Sequence, residues 1–211
     1  MPVIGTARGR SGVATTLLRR ISVLALIGAF GGGQTLAQGQ PAALPNRPEA
    51  LVASVYEQVV ARHPLGVPHG ADADVLAPYL SKALLHRFDL NTACDADWLR
   101  QNPGPNLKPP GVFEDGLFSG GSEQAEPTAF HIENAETGKD GSSRVYVKLS
   151  WGSPANMAMV WYVAAVVVPE DGRLVVDDVF YLRSKSGDPE GRLSEALSSG
   201  CDGGRWVGRP G

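Results

Sequence analysis

The apolar residues of this chain change period once, and that change limits the fold more than any motif does. From residue 48 they recur at helical spacing: Val52, Val55, Tyr56, Val59 and Val60 fall on one face. After residue 128 the period is two. Val145, Val147 and Leu149 alternate with Arg144, Tyr146 and Lys148, the pattern of a strand buried on one side. Helices first and strands after them make an α+β domain whose helices cover the apolar face of the sheet.

Local signals place the elements. Asn46 and Glu49 have capping-box spacing around Pro48, which predicts a first helix that ends at Pro64. Pro64, Gly66, Pro68 and Gly70 make a loop. Asp72 or Asp74 opens a second helical zone, Pro78 interrupts it, and Ser81 caps a helix over 82–88. A separate short helix is expected over 93–101. Strands are expected over 128–135, 144–151, 157–168 and 173–182. The gaps between the strands carry turn residues, Gly138-Lys139-Asp140-Gly141 and Glu170-Asp171-Gly172 among them. Short turns force antiparallel neighbours, so the expectation is a four-stranded meander with 157–168 at its centre. A short helix over 192–197 leads to the tail.

The first 37 residues point to export. Arg8, Arg10, Arg19 and Arg20 form a positive start, residues 21–30 an apolar run, and Thr35-Leu36-Ala37 a small-residue exit. The run is about ten residues, half of what a spanning helix needs. The expectation is a signal peptide at 1–37, a flexible linker at 38–47 and one α+β domain at 48–211, periplasmic or secreted. Arg19-Arg20 also fits a twin-arginine signal. The signal holds four of the 19 basic and none of the 22 acidic residues, so the remainder carries 15 − 22, or −7. Scattered basic residues on so acidic a chain argue against nucleic acid as a partner. No membrane insertion is expected once the signal is removed.

The only two cysteines, Cys94 and Cys201, lie in the exported part. In an oxidising compartment a pair is more often a structural disulfide than two separate thiols.

At this point the order of elements resembles the cone-shaped α+β superfamily named after nuclear transport factor two. More narrowly, several stretches look like a family of exported bacterial domains of unknown function. These are Val55-Tyr56, Leu80-Ser81-Lys82-Ala83-Leu84, Asp115-Gly116-Leu117-Phe118 and Val176-Asp177-Asp178-Val179-Phe180-Tyr181. The resemblance implies N-terminal helices packed into a curved, cystatin-like sheet. It implies no activity and no cofactor.

Three groups of residues are candidate sites. His63 and His69 share a loop with Asp72 and Asp74 just beyond, but their spacing fits no metal-ligand pattern, and no metal is expected. Asp177 or Asp178, with Tyr162 and His131 from other strands, has the composition of a pocket for proton transfer or hydrolysis in a small cone-fold enzyme, although a carboxylate that caps the preceding turn or pairs with a basic neighbour is the commoner arrangement. Adjacent strand residues point to opposite faces, so only one of the two aspartates looks into the concavity. The segment 110–127 sets Phe113, Leu117 and Phe118 among glycines and acids. It reads either as a crossover whose aromatics plug the core or as a lip that binds a ligand or partner. No nucleophile elbow and no phosphate-binding glycine loop is present. The leading expectation is therefore a non-catalytic domain that binds a small ligand or an envelope protein.

Overall fold

Proline at position 48 sets the first boundary. Its ring keeps the residue before it out of the helical region, so Arg47 is extended (φ −116°, ψ 136°) and becomes the N-cap of α1 (Pro48–Arg62). The expected Asn46 cap is not used, and no side chain caps this helix. The computed structural model describes residues 45–109, 116–120, 126–153, 156–185 and 187–208. The expected signal peptide, the linker as far as residue 44, and Phe113 lie outside the described residues.

Pro78 breaks the next helical zone as expected, into α2 (Ala71–Leu76) and a single tight turn, Ala77–Tyr79. Ser81 then caps α3 (Lys82–Gln101), its Oγ accepting from the Leu84 N–H at 2.9 Å. Here the structure corrects the sequence: one helix of 20 residues stands where two short ones were expected. The stretch Asp89-Leu90-Asn91-Thr92 has weak helix propensity, but tertiary contacts override it. Buried Asn91 donates to Leu197 O at 2.9 Å, and Thr92 turns its hydroxyl back onto Phe88 O.

The sheet has five strands rather than four: β1 (Ala129–Thr137), β2 (Ser143–Ser153), β3 (Asn156–Glu170), β4 (Arg173–Leu182) and β5 (Pro189–Arg192). Each is antiparallel to the next, in chain order. The fifth strand is Pro-Glu-Gly-Arg, with no apolar residue to alternate, and so left no pattern to read. It pairs through Phe180↔Arg192 and Tyr181↔Gly191. The longest strand, β3, is central, as expected. After β5 come α4 (Leu193–Ser198) and a small hairpin, β6 (Cys201–Asp202) and β7 (Arg205–Trp206).

One face of the sheet carries the core. Val145, Val147 and Leu149 from β2 and Val163, Ala165 and Val167 from β3 meet Leu51, Val52, Val55, Tyr56 and Val59 of α1. Leu84 and Phe88 of α3 and Leu193 and Leu197 of α4 complete it. Among the described residues no helix is long and apolar enough to cross a membrane.

Cys94 in α3 is bonded to Cys201 in β6 across 107 residues of sequence. Closing a loop of that length removes unfolded-state entropy worth up to about 4–5 kcal/mol. The double substitution Cys94→Ala/Cys201→Ala is therefore expected to lower the urea midpoint of unfolding by the equivalent of several kcal/mol, read by circular dichroism.

Asp97 adds a second tie to the same hairpin. Its Oδ2 accepts from the Trp206 N–H at 2.9 Å, and that bond, with help from Arg100 and Gln101, holds the carboxyl below its ordinary pKa. A depressed carboxylate stabilises the fold above its unfolded pKa of about 4, and loses that contribution as the pH falls through the lower folded value. The protection of the Trp206 amide against hydrogen exchange, taken relative to the intrinsic rate at each pH, is expected to fall on acidification below about pH 4. Asp97→Asn should remove much of that dependence.

Candidate functional site

β4 contains the feature that decides the fate of the two aspartates. Its pairing with β3 jumps from Val167↔Val176 to Val166↔Asp178, leaving Asp177 unpaired in a β-bulge. Inward-facing residues run Leu174, Val176 before the bulge and Val179, Tyr181 after it. Both aspartates sit between two core-facing positions, so simple alternation does not apply to them.

Each aspartate holds a different helix. Asp177 Oδ1 accepts from Ser81 Oγ at 2.6 Å, while that oxygen accepts from the third residue of α3. The Ser81 N–H donates to Val176 O, and the Lys82 N–H donates to the Glu170 carboxylate. The start of α3 is thus fastened to β4 and to the β3–β4 turn. Asp178 is 7% exposed and accepts from Ser194 N at 3.0 Å and from Ser194 Oγ at 2.6 Å. It caps α4 from a distance of 16 residues in sequence and also accepts from the Val179 N–H. These are the roles of N-cap residues supplied by a neighbouring strand.

The other members of the expected pocket lie elsewhere. Tyr162 pairs with Leu182 and Lys148, and Asp178 with Val166, so four residues, about 13 Å of strand, separate Tyr162 from the aspartate's level. His131 pairs with Lys148 in turn. His131, Lys148 and Tyr162 therefore form a row across β1–β3 on the face away from the core. The structure does not bring Asp177, Asp178, Tyr162 and His131 together. Tyr181 does approach Asp178, and burial first and that charge second push its phenol above the ordinary value. Its proton is already engaged, donated to Leu117 O at 2.8 Å.

Leu117 and Phe118 are 3% and 1% exposed. In this position they fill the core and offer no surface to a ligand. Three consecutive carbonyls of their segment are held by three aromatic donors: Tyr181 on Leu117 O, Tyr56 on Phe118 O and Trp161 on Ser119 O, each at 2.8 Å. Gly120 has φ +60°, and a Cβ there would stand 2.4 Å from the Tyr181 ring. In the histidine loop, His63 Nδ1 stands 3.4 Å from Glu126 Oε2 without hydrogen-bond alignment, and Asp72 pairs with Arg62 at 2.7 Å. Among the described residues no group of three or more His, Cys, Asp or Glu side chains could hold a metal ion.

Two cavities border the tip of β5 and share Arg192. The first, about 350 Å3, lies between α3, α4 and the β6–β7 hairpin, with Arg87, Leu90, Glu195, Leu197 and Cys201 in its wall. The second, about 430 Å3, takes in Asp177, Asp178, Arg144, Phe180 and Arg192. Arg144 lies 4.7 Å from the Phe180 ring centre and Arg192 6.0 Å, so the ring is flanked by two cations. Neither Tyr162 nor His131 belongs to this wall. Sequence reading passed over Arg87, although a signal existed: it follows Leu84 by three and precedes Asn91 and Cys94 by four and seven, the spacing of the buried stripe of α3.

Comparison with known proteins yields no match: no family model, no curated sequence and no solved structure aligns significantly with this chain.

If the aspartates are caps, their loss must register as instability. Asp178→Ala leaves the N–H groups of Val179 and Ser194 without their acceptor, at a cost of about 2–3 kcal/mol. Ser81→Ala removes a cap and a partner of Asp177, a loss of about 1–2 kcal/mol. Both are measured by urea denaturation, and a change below about 0.5 kcal/mol in each would contradict the capping role.

Proposed function

We propose that this chain is an exported binding domain without catalytic machinery, which takes a small ligand into the cavity between α3, α4 and the β6–β7 hairpin. The observation that carries the reading is the cavity itself. Its volume of about 350 Å3 falls in the range of small-molecule sites, and its walls set Leu90, Leu197 and the disulfide among charged and hydroxyl side chains. One wall is a two-stranded hairpin fastened by the Cys94–Cys201 bond and by Asp97. Of the candidate acid–base groups, Asp177 and Asp178 are engaged at the starts of α3 and α4, and Tyr162 and His131 lie outside that wall.

Export is part of the same proposal. It is supported by the arginine-rich and then apolar start of the sequence and by a disulfide of the kind that persists in oxidising compartments. So is membership of the cone-shaped superfamily, supported by the order of helices and antiparallel strands.

Ser198 stands exposed at the cavity wall, so Ser198→Trp places a large ring there without entering the core. In a thermal-shift screen of small metabolites, ligands present at a hundred times their Kd should raise the midpoint by about 5–10 °C. The same ligands should act weakly or not at all on Ser198→Trp. A screen without hits, or hits that treat both proteins alike, would remove this reading. For export, residues 1–37 fused to a reporter enzyme that matures only under oxidising conditions should give activity, and a silent reporter would count against it.

A further inference from the structure

The wall of the 350 Å3 cavity carries an uneven charge. It contains two guanidinium groups, Arg87 and Arg192, and one carboxylate, Glu195. Arg192 already has anions beside it, Glu195 Oε1 at 3.1 Å and Asp178 Oδ2 at 3.9 Å. Among the described residues no anion pairs with Arg87, and its buried Nη1 has no hydrogen-bond acceptor. A buried donor on a charged group without a partner is costly, and native proteins seldom leave one unless something else supplies the acceptor.

The cavity's hydroxyls do not answer Arg87. Ser194 Oγ donates to Asp178, and Ser198 Oγ bonds the carbonyls of Ser194 and Glu195. The apolar part of the wall is made of Leu90, Leu197 and the half-cystine Cys201. We infer that the cavity binds a monocarboxylate with a short apolar tail, its carboxylate on Arg87 and its tail between Leu90, Leu197 and the disulfide. With Arg192 answered by Glu195 and Asp178, Arg87 is the one cation of the wall left for a ligand anion. A carboxylate supplies one negative charge, whereas a phosphate monoester carries close to two and would meet Glu195 as well. Planar oxygens also suit the guanidinium fork.

The inference rests on the binding reading above, and its test separates the two. The oxidised chain is titrated calorimetrically with octanoate, with 1-octanol as the neutral counterpart and with inorganic phosphate as an anion without a tail. Octanoate is expected to bind one to one, at least tenfold more tightly than either of the others. Arg87→Gln should weaken octanoate at least tenfold and leave octanol unchanged, while Arg183→Gln, an exposed control, should change neither. Arg87 makes no hydrogen bond through Nη1, so Arg87→Gln should keep the melting temperature. On the unmodified protein, the nitrogen resonance of the Arg87 side chain should shift with octanoate and not with octanol, a readout that needs no variant.

Equal binding of octanoate and octanol, unaffected by Arg87→Gln, would overturn the assignment of Arg87 while leaving a binding cavity in place. Tightest binding by phosphate would overturn the tail. No binding of any of the three would overturn the inference, and the metabolite screen with Ser198→Trp then decides whether the cavity binds anything.

Discussion

The unpaired residue in β4 is the constraint on which the arrangement of helices depends. Without the bulge, Asp177 and Asp178 would point to opposite faces of the sheet, and one of them would enter a core of valines and leucines. With it, both carboxylates turn to the edge where helices begin, one to Ser81 and one to Ser194. A helix start exposes N–H groups that need acceptors, and ionised carboxylates are the strongest available. The same two residues thereby settle where α3 and α4 begin and tie both to one strand. A bulge that re-aims side chains is usually read as a sign of function; here its consequence is architectural.

A comparable economy of groups holds the segment 116–120. Gly116 O accepts from Ser119 N and Gly120 N, making a tight turn, and the next three carbonyls face three aromatic donors. Tyr56 belongs to the first helix, Trp161 to the central strand and Tyr181 to the bulged one. A buried carbonyl without a donor is unfavourable, and so is a buried phenol without an acceptor; pairing them answers both at once. Burial raises the pKa of the Tyr56 phenol, and Tyr181 adds to that, so both tyrosines stay neutral donors at ordinary pH. The turn is thus fixed from three elements, and this explains how Leu117 and Phe118 can be inserted into the core from an irregular stretch.

Legibility followed the strength of the local signal. The period-two alternation of β2 and the long apolar run of β3 were plain, because burial on one face or both writes itself directly into composition. Pro78 and Ser81 gave their boundary, since a ring without an N–H and a hydroxyl cap act on their own neighbours. The continuity of α3 through Asn91 and Thr92 was not legible, because it depends on Leu197, more than a hundred residues away. Nor was β5, which joins by backbone pairing and contributes no apolar side chain. The role of the aspartate pair stayed open for a related reason. Composition allowed either chemistry or capping, while the bulge that aims the two carboxylates is a property of pairing register, which no local pattern encodes. In the cysteine pair, by contrast, arithmetic was enough: two cysteines leave one possible intramolecular bond.

The C-terminal hairpin shows why the cavity lies where it does. Two strands of two residues cannot fold alone, and their hold on the protein is borrowed from α3. Cys94 fixes the first strand, Asp97 the second, and the two lie on successive positions of the same helical face. Gly200, at φ +76°, lets the Trp206 ring pack over the backbone where any Cβ would lie 2.4 Å from it. Those attachments all fall in the second half of α3, whereas α4 is fastened by Asp178 and by Asn91 toward the middle. The hairpin and α4 are therefore held at separate points along one helix, and the space between the two attachments is not filled by either. Arg87 and Leu90 line that gap as half-buried residues beside the covered Leu84, Phe88 and Cys94. A cavity produced in this way keeps its shape only while both fastenings last, which makes the disulfide part of the cavity wall as well as part of the fold.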